Sequence, residues 1–580
     1  VYANDLKIRI QVLVSFIVAG VVSGLSVKLP YSGDQVLFWA NLTTHSTLHP
    51  SGYFWNSVIS YLGHSIQISA PFIVAGVQGV SAFICIFALS QVVEWFWSFV
   101  GAIFWLLSFG VFRYFLIYEG RTLIFVFLSL FLWALKKYQN QSTERNRWKV
   151  WLCLLLGFVQ HHLLAILLST IYLHFFYKNE KSLKKPLIHI FLALIMSIVP
   201  ILFLGKITQA HTVNLISWGD LQSLTGMWRH WSRAELGSFS LAQIPALTYF
   251  SALKTHLFEL FKFLVFSTLG TIFVLFIPKK NKNQSVLNQS ILVGFFVYTF
   301  VLLIFGNIEP SETWYRAILL RFWIIPSPIL FVLIGDRVAL MNKKKEWIFV
   351  LAMIILVSVN IRLYAIQDYR MTHKKIFELH PHLIGDLTPR NALVLHSSYV
   401  EWVRTILWIN QNEKLRLSYQ NSFNGSYHLL VKSILQYGWP TEQVVTNWNQ
   451  SGKSAVIKSD QIWDQLRSLW GDRSVVLIGP ASSDELHLFL KALDLSAHPI
   501  GPYFLLNSKK NSPSIELIRL NQEIQRGIQS CDLLLSEWSR DSLDSWIEPM
   551  TDYFCYPCLL TFQLTHHEIK DEWKKACAQK

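Results

Sequence analysis

The sequence predicts a polytopic α-helical membrane protein with about eleven transmembrane helices, followed by a soluble α/β domain. Three observations predict it. Of the 580 residues, 52% are hydrophobic and 15% charged, against about 25% charged in ordinary soluble domains. Apolar runs of about 20 residues, enough to cross a bilayer, recur through the first two-thirds of the chain. Beyond about residue 367 the composition turns to that of a soluble domain, so the expected division is 1–366 and 367–580.

The first apolar run, Ile10–Val27, follows Lys7 and Arg9 in the manner of a signal peptide. No clear small-x-small cleavage site comes after it, so it reads as a retained helix at 10–29. Further spans are expected at 71–93, 96–113, 121–136, 187–205, 259–277, 291–306, 318–336 and 347–366. Segment 148–177 is interrupted by Gln160-His161-His162. Loops 136–149, 178–186, 278–290 and 337–346 are basic, whereas 30–70 has neither Lys nor Arg. If basic loops stay cytoplasmic, the chain crosses an even number of times between each pair. Segment 148–177 must then be two short passes with the His pair at an outer turn. A single tilted helix would break the rule at every later loop. With two passes, the N-terminus lies inside, and Asp34 and the C-terminal domain lie outside. The net charge of +15 comes largely from these loops, and with no basic stripe or recognition motif nucleic acid is not an expected partner.

The polar residues outside the basic loops and the C-terminal domain gather on the outer side, which fits an interfacial enzyme better than a channel. A transporter would place polar groups near the midplane. Asp34, in Ser32-Gly33-Asp34, is either a capping carboxylate or a general base for a hydroxyl nucleophile. His49-Pro50 with Gly52-Tyr53 makes a turn into a short helix, and His49 and Tyr53 are candidates for the same pocket. Arg113, Glu119 and Arg121 form a structural ion pair or bind a lipid-linked phosphate, which suits the planar guanidinium. His161 and His162 are neighbours that point apart, a poor metal pair, and fit phosphate or sugar hydrogen bonding. The loop 206–258 is Trp-rich, with Trp218, Asp220, Arg229 and Arg233. That composition suits an interfacial helix or carbohydrate. Arg316 can snorkel, whereas Arg321, about one turn deeper, needs a partner or a polar cavity and is the leading phosphate ligand.

Taken in order, these motifs resemble the protein O-mannosyltransferase-like multi-spanning family of GT-C glycosyltransferases, over roughly residues 8–365. They are Gly33-Asp34, His49-Pro50-x-Gly52-Tyr53, Glu119, Gly157…His161-His162, Trp218-Gly219-Asp220 with Arg233, and Arg321-Phe322-Trp323. The resemblance implies a polyprenyl-phosphate-linked sugar donor, a catalytic aspartate in the first outer loop, and transfer on the non-cytoplasmic face. It also implies a bacterial inner-membrane location. Two departures stand out. Leu37 lies near where the family has a second acid, and the second motif reads His-Pro-Ser-Gly-Tyr-Phe rather than His-Pro-Pro-Gly-Tyr-Pro. Neither mannose as sugar nor protein as acceptor is carried over. The expected chemistry is an inverting displacement onto an acceptor hydroxyl, whether of a protein or of an envelope glycan or lipid. Asp34 takes the proton, while Arg321 with Arg113 or Arg121 stabilises the departing phosphate. No metal or cofactor is required. A flippase for lipid-linked glycan and a non-catalytic envelope-assembly scaffold are the alternatives.

In the C-terminal part, strands are expected at 391–397, 474–479 and 501–507 and a helix at 483–497. Cys531, Cys555, Cys558 and Cys577 are disulfide candidates on an oxidising face, with zinc at the 555–558 CxxC an alternative.

Overall fold

The structure is a computed structural model. It describes residues 2–26, 50–93, 98–108, 111–116, 121–211, 285–305 and 322–338, short pieces within 257–261 and 347–355, and seven strands between 393 and 508. The chain divides into two compact units, one of helices and one holding the strands.

The helical unit contains α1 (Tyr2–Leu25), α2 (Pro50–Ser65), α3 (Ala70–Val92), α4 (Ser98–Leu106), α5 (Val111–Leu116) and α6 (Arg121–Asn140). It continues with α7 (Glu144–Gln160), α8 (His162–Glu180), α9 (Lys184–His211), α10 (Val286–Phe305) and α11 (Ser327–Val338). Among the described residues four segments are long and apolar enough to cross a membrane: Ile8–Leu25, Ala70–Val92, Thr122–Asn140 and Val286–Leu303. They coincide with four of the expected spans.

Contacts give the direction of each helix. In α1, Gln11, Ser15, Ala19, Val22 and Ser26 are buried, a stripe at helical spacing, while Leu13, Phe16, Ile17 and Val21 face outwards. The stripe meets α3 antiparallel, with Gln91 Nε2 donating to Gln11 Oε1 (3.2 Å) at one end and Gly79 against Ala19 further along. A Cβ on Gly79 would lie 3.0 Å from the Ala19 carbonyl oxygen and 3.1 Å from Ser23 Cβ. Small residues let these backbones approach. Gly79→Val is therefore expected to force α1 and α3 apart at a cost of about 1–3 kcal/mol, seen as a lower thermal midpoint in detergent. An unchanged midpoint would contradict this contact.

Helix α6 runs parallel to α3. The Phe87 and Trp133 rings are 6.0 Å apart, and Cys85 lies beside Ser129. The turn after α6 is short, because Thr143 already caps α7, its side chain accepting from the Asn146 N–H (3.3 Å). α7 therefore returns antiparallel. At His161 the backbone is extended (φ −162°, ψ 132°) and the helix breaks. α8 then runs back along α7, since Arg147 near the start of α7 pairs with Glu180 at the end of α8. Thirty-three residues of unbroken helix would separate these two by about 50 Å, so 144–180 is a helical hairpin with His161 at its apex. α10 lies antiparallel to α8, held by His174 Nδ1 against Ser290 Oγ (2.8 Å) and by Gly294 against Ile171.

The expected single span 96–113 differs in the structure. α4 ends at a turn, where the Ser108 N–H and Oγ–H both donate to the Trp105 carbonyl (3.0 and 2.6 Å), and α5 begins three residues later. Nine helical residues span only about 14 Å. Aromatic stacking holds the break in place: Trp105, Phe115 and Phe125 lie mutually 5.7–6.3 Å apart. α11 closes on α4 through the Trp105 indole N–H donating to Ser327 Oγ (3.1 Å).

The strands form one sheet of order β4-β3-β2-β1-β5-β7-β6, with β1 at Leu393–His396, β2 at Tyr427–Leu430, β3 at Glu442–Asn447, β4 at Ser454–Lys458, β5 at Val475–Ile478, β6 at Leu495–Ile500 and β7 at Tyr503–Ser508. β2, β1 and β5 are parallel, and the flanking strands pair antiparallel. β1, β5 and β7 fall on the three expected strands. The helical pattern expected over 483–497 ends instead in β6, where Leu495 pairs with Ser508. Pro499 is tolerated because β6 is an edge strand. The four C-terminal cysteines lie outside the described residues.

Candidate functional site

The helix directions give the unit two chemically different ends. One collects the start of α1, the ends of α3, α6, α8 and α11, and the starts of α7, α9 and α10. Lys136, Lys137, Arg145, Lys149, Lys178, Lys181, Lys184, Lys185 and Arg337 are at this end. The opposite end collects the end of α1, the starts of α3 and α6, the hairpin apex and the end of α10.

The sequence candidates that the structure describes belong to that second end. Arg121 is the first residue of α6 and His161-His162 forms the apex of the α7–α8 hairpin. Arg113 lies on α5, which the Phe115–Phe125 stacking (5.9 Å) sets beside the first turns of α6. Tyr53 is in the first turn of α2, which starts at Pro50 as the His49-Pro50 turn implied. α2 packs against the first halves of α6, through Trp55 and Phe127 (5.9 Å), and of α3, through Gly63 and Ile73. Phe322 and Trp323, which follow Arg321, are anchored: the Tyr298 hydroxyl donates to the Phe322 carbonyl (2.7 Å) and Trp323 is buried. Asp34, His49, Glu119, Trp218, Asp220, Arg229, Arg233, Arg316 and Arg321 lie outside the described residues.

His161 has the best-defined role. It is buried, and its Nδ1 accepts from the Leu163 N–H (3.2 Å), capping α8. Its own N–H donates to the Gly157 carbonyl (3.1 Å), closing α7. A neutral imidazole that accepts at Nδ1 carries its proton on Nε2. The His162 ring stacks on it, 4.5 Å away and inclined by 20°, so the two do not point apart as neighbours within one helix would, because His161 is extended and stands outside α8. His161→Ala should lose the cap at about 1 kcal/mol, and His161→Asn should restore most of it. Thermal midpoints of the two variants test this, and equal losses would contradict a capping role.

Sequence reasoning missed three buried polar atoms in this half of the unit. The Trp55 and Trp323 indole N–H groups and the Thr122 hydroxyl have no hydrogen-bond partner among the described residues. Buried donors are normally satisfied, and the residue types alone gave no signal that these would not be. Sequence reasoning also missed a buried charge cluster at the basic end. The Arg147 guanidinium donates to Glu144 (2.8 Å) and to Glu180. The Tyr138 hydroxyl also donates to Glu180 (3.4 Å), and the Phe176 ring centroid lies 5.4 Å from Arg147 Cζ.

Comparison of the chain with known protein families and with curated proteins found no match.

Proposed function

We propose that the chain is a GT-C-type inverting glycosyltransferase of the membrane, moving a sugar from a polyprenyl-phosphate-linked donor to a hydroxyl of a protein or of an envelope glycan or lipid. The observation that carries this reading is the shared end. The chain leaves α1 there, at Leu25, nine residues before Asp34. The starts of α3 and α6 (with Arg121), Arg113 on α5 and the His161-His162 apex belong to it, opposite the basic end. Under the positive-inside rule the basic end faces the cytoplasm, so the proposed chemistry is extracytoplasmic. The reading retains eleven passes, with α4 and α5 together making the third. A C-terminal α/β domain lies on the periplasmic side of a bacterial inner membrane. In the reaction, Asp34 accepts the proton of the attacking hydroxyl as the new glycosidic bond forms. The bond between the anomeric carbon and the phosphate oxygen breaks, and the electron pair leaves with the phosphate. Arg321, Arg113 and Arg121 balance the phosphate charge, and His161 and His162 donate hydrogen bonds to it. Glu119, His49, Tyr53, Trp218, Asp220 and Arg233 line the sugar and acceptor pocket. Transfer of labelled sugar from extracted polyprenyl-phosphate donors, with and without Asp34→Asn, tests the reading.

One observation bears on a second reading, a flippase for lipid-linked glycan. Ser15, Cys85 and Ser129 are buried at about the same level midway along α1, α3 and α6. Small neutral groups fit close helix packing better than a transport path, for which ionisable residues are the usual mark. Movement of a labelled lipid-linked glycan across liposomes containing the protein, unaffected by Asp34→Asn, would favour the flippase.

A further inference from the structure

Between Thr122 and Pro200 the sequence has nine basic residues and two acidic ones, Glu144 and Glu180. Both acids pair with Arg147, whose side chain is 9% exposed. Lys137, Arg145, Lys149, Lys181, Lys184 and Lys185 are all exposed, and this segment has no further carboxylate to offset them. Two of them lie close to an exposed aromatic. Trp148 is 55% exposed. Its ring lies 6.0 Å from that of His189 on α9 and 5.3 Å from that of Trp151, whose N–H donates to the His189 carbonyl (2.9 Å). Lys184 and Lys185 lie about one turn before His189. Away from these lysines an apolar strip continues along the helices, with Leu152 on α7 and Leu187, Phe191, Ile195 and Val199 on α9 all exposed.

We propose that this face, formed by the starts of α7 and α9, holds an anionic phospholipid of the surrounding bilayer. The phosphate lies by Lys184 and Lys185, Trp148 sits at headgroup depth, and the acyl chains run along the apolar strip. Trp is enriched at that depth because its ring is amphipathic. The lysines attract the net negative headgroup. A zwitterionic lipid carries its own ammonium and gains much less. The inference rests on the chain being a membrane protein and is independent of sugar transfer.

The test is native mass spectrometry of the full chain in detergent, titrated with phosphatidylglycerol or phosphatidylcholine of the same acyl chains. Wild type should retain phosphatidylglycerol at least about tenfold better. The double variant Lys184→Gln, Lys185→Gln should lose most of that preference, since each lysine near the headgroups is worth about fivefold. Both side chains are exposed, so the variant should keep its thermal midpoint in neutral lipid. Equal retention of the two lipids by wild type would overturn the proposal, and so would a double variant that keeps the full preference.

Discussion

Arg147→Ala is expected to destabilise the helical unit by about 3 kcal/mol or more, read as a lower midpoint of unfolding in detergent. Arg147 is the contact through which three helices meet at the basic end. It starts α7, pairs with Glu180 at the end of α8, and lies with Phe176 and the α6 residue Tyr138 around it. The side chains of Arg147 and Glu180 are 9% and 20% exposed. Removing the arginine leaves a largely buried carboxylate with, among the described residues, the Tyr138 hydroxyl to satisfy it, and an unpaired buried charge costs more than a neutral gap. Glu144 contributes little, because at 71% exposure water screens it. The double variant Arg147→Met, Glu180→Gln should recover much of the loss, since it removes both charges together. Strictly additive single losses would show that the two residues are not coupled.

The hairpin was legible in the sequence because it needed two independent signals, and both were present. Gln160-His161-His162 interrupted an apolar run, and the charges of the flanking loops demanded an even number of passes. The break at Leu107-Ser108 was not legible. "SFVGAIFWLLSFGVFR" reads as one apolar run, and what divides it is the packing of Trp105 and Phe115 on Phe125, a tertiary contact that periodicity does not encode. Arg147 was hidden for a related reason. Charge counting treats every base in a loop alike and cannot distinguish an exposed lysine from an arginine that neutralises two glutamates. In the sheet, β1, β5 and β7 are compact apolar runs and stood out. β3 and β4 mix Glu, Thr, Asn, Ser and Lys with their valines, so they carried no apolar run to find. Most candidate site residues lie between helices, where hydrophobic periodicity carries no placement. His161 was found as a polar interruption, but its double capping role came only from the backbone.

The Asp34→Asn substitution tests the central claim most directly. Asparagine keeps the size of the side chain and can still cap a turn, so a carboxylate serving only as a cap should tolerate it. It cannot take a proton from the acceptor hydroxyl, and positioned general bases contribute about 10²–10⁴ in rate. The measurement is transfer of radiolabelled sugar from extracted polyprenyl-phosphate donors in purified membranes, with wild type and variant compared at equal protein. The account predicts transfer by wild type and a loss of about a hundredfold or more in the variant, with retention of the lipid donor unchanged. Equal transfer by the two proteins would contradict it.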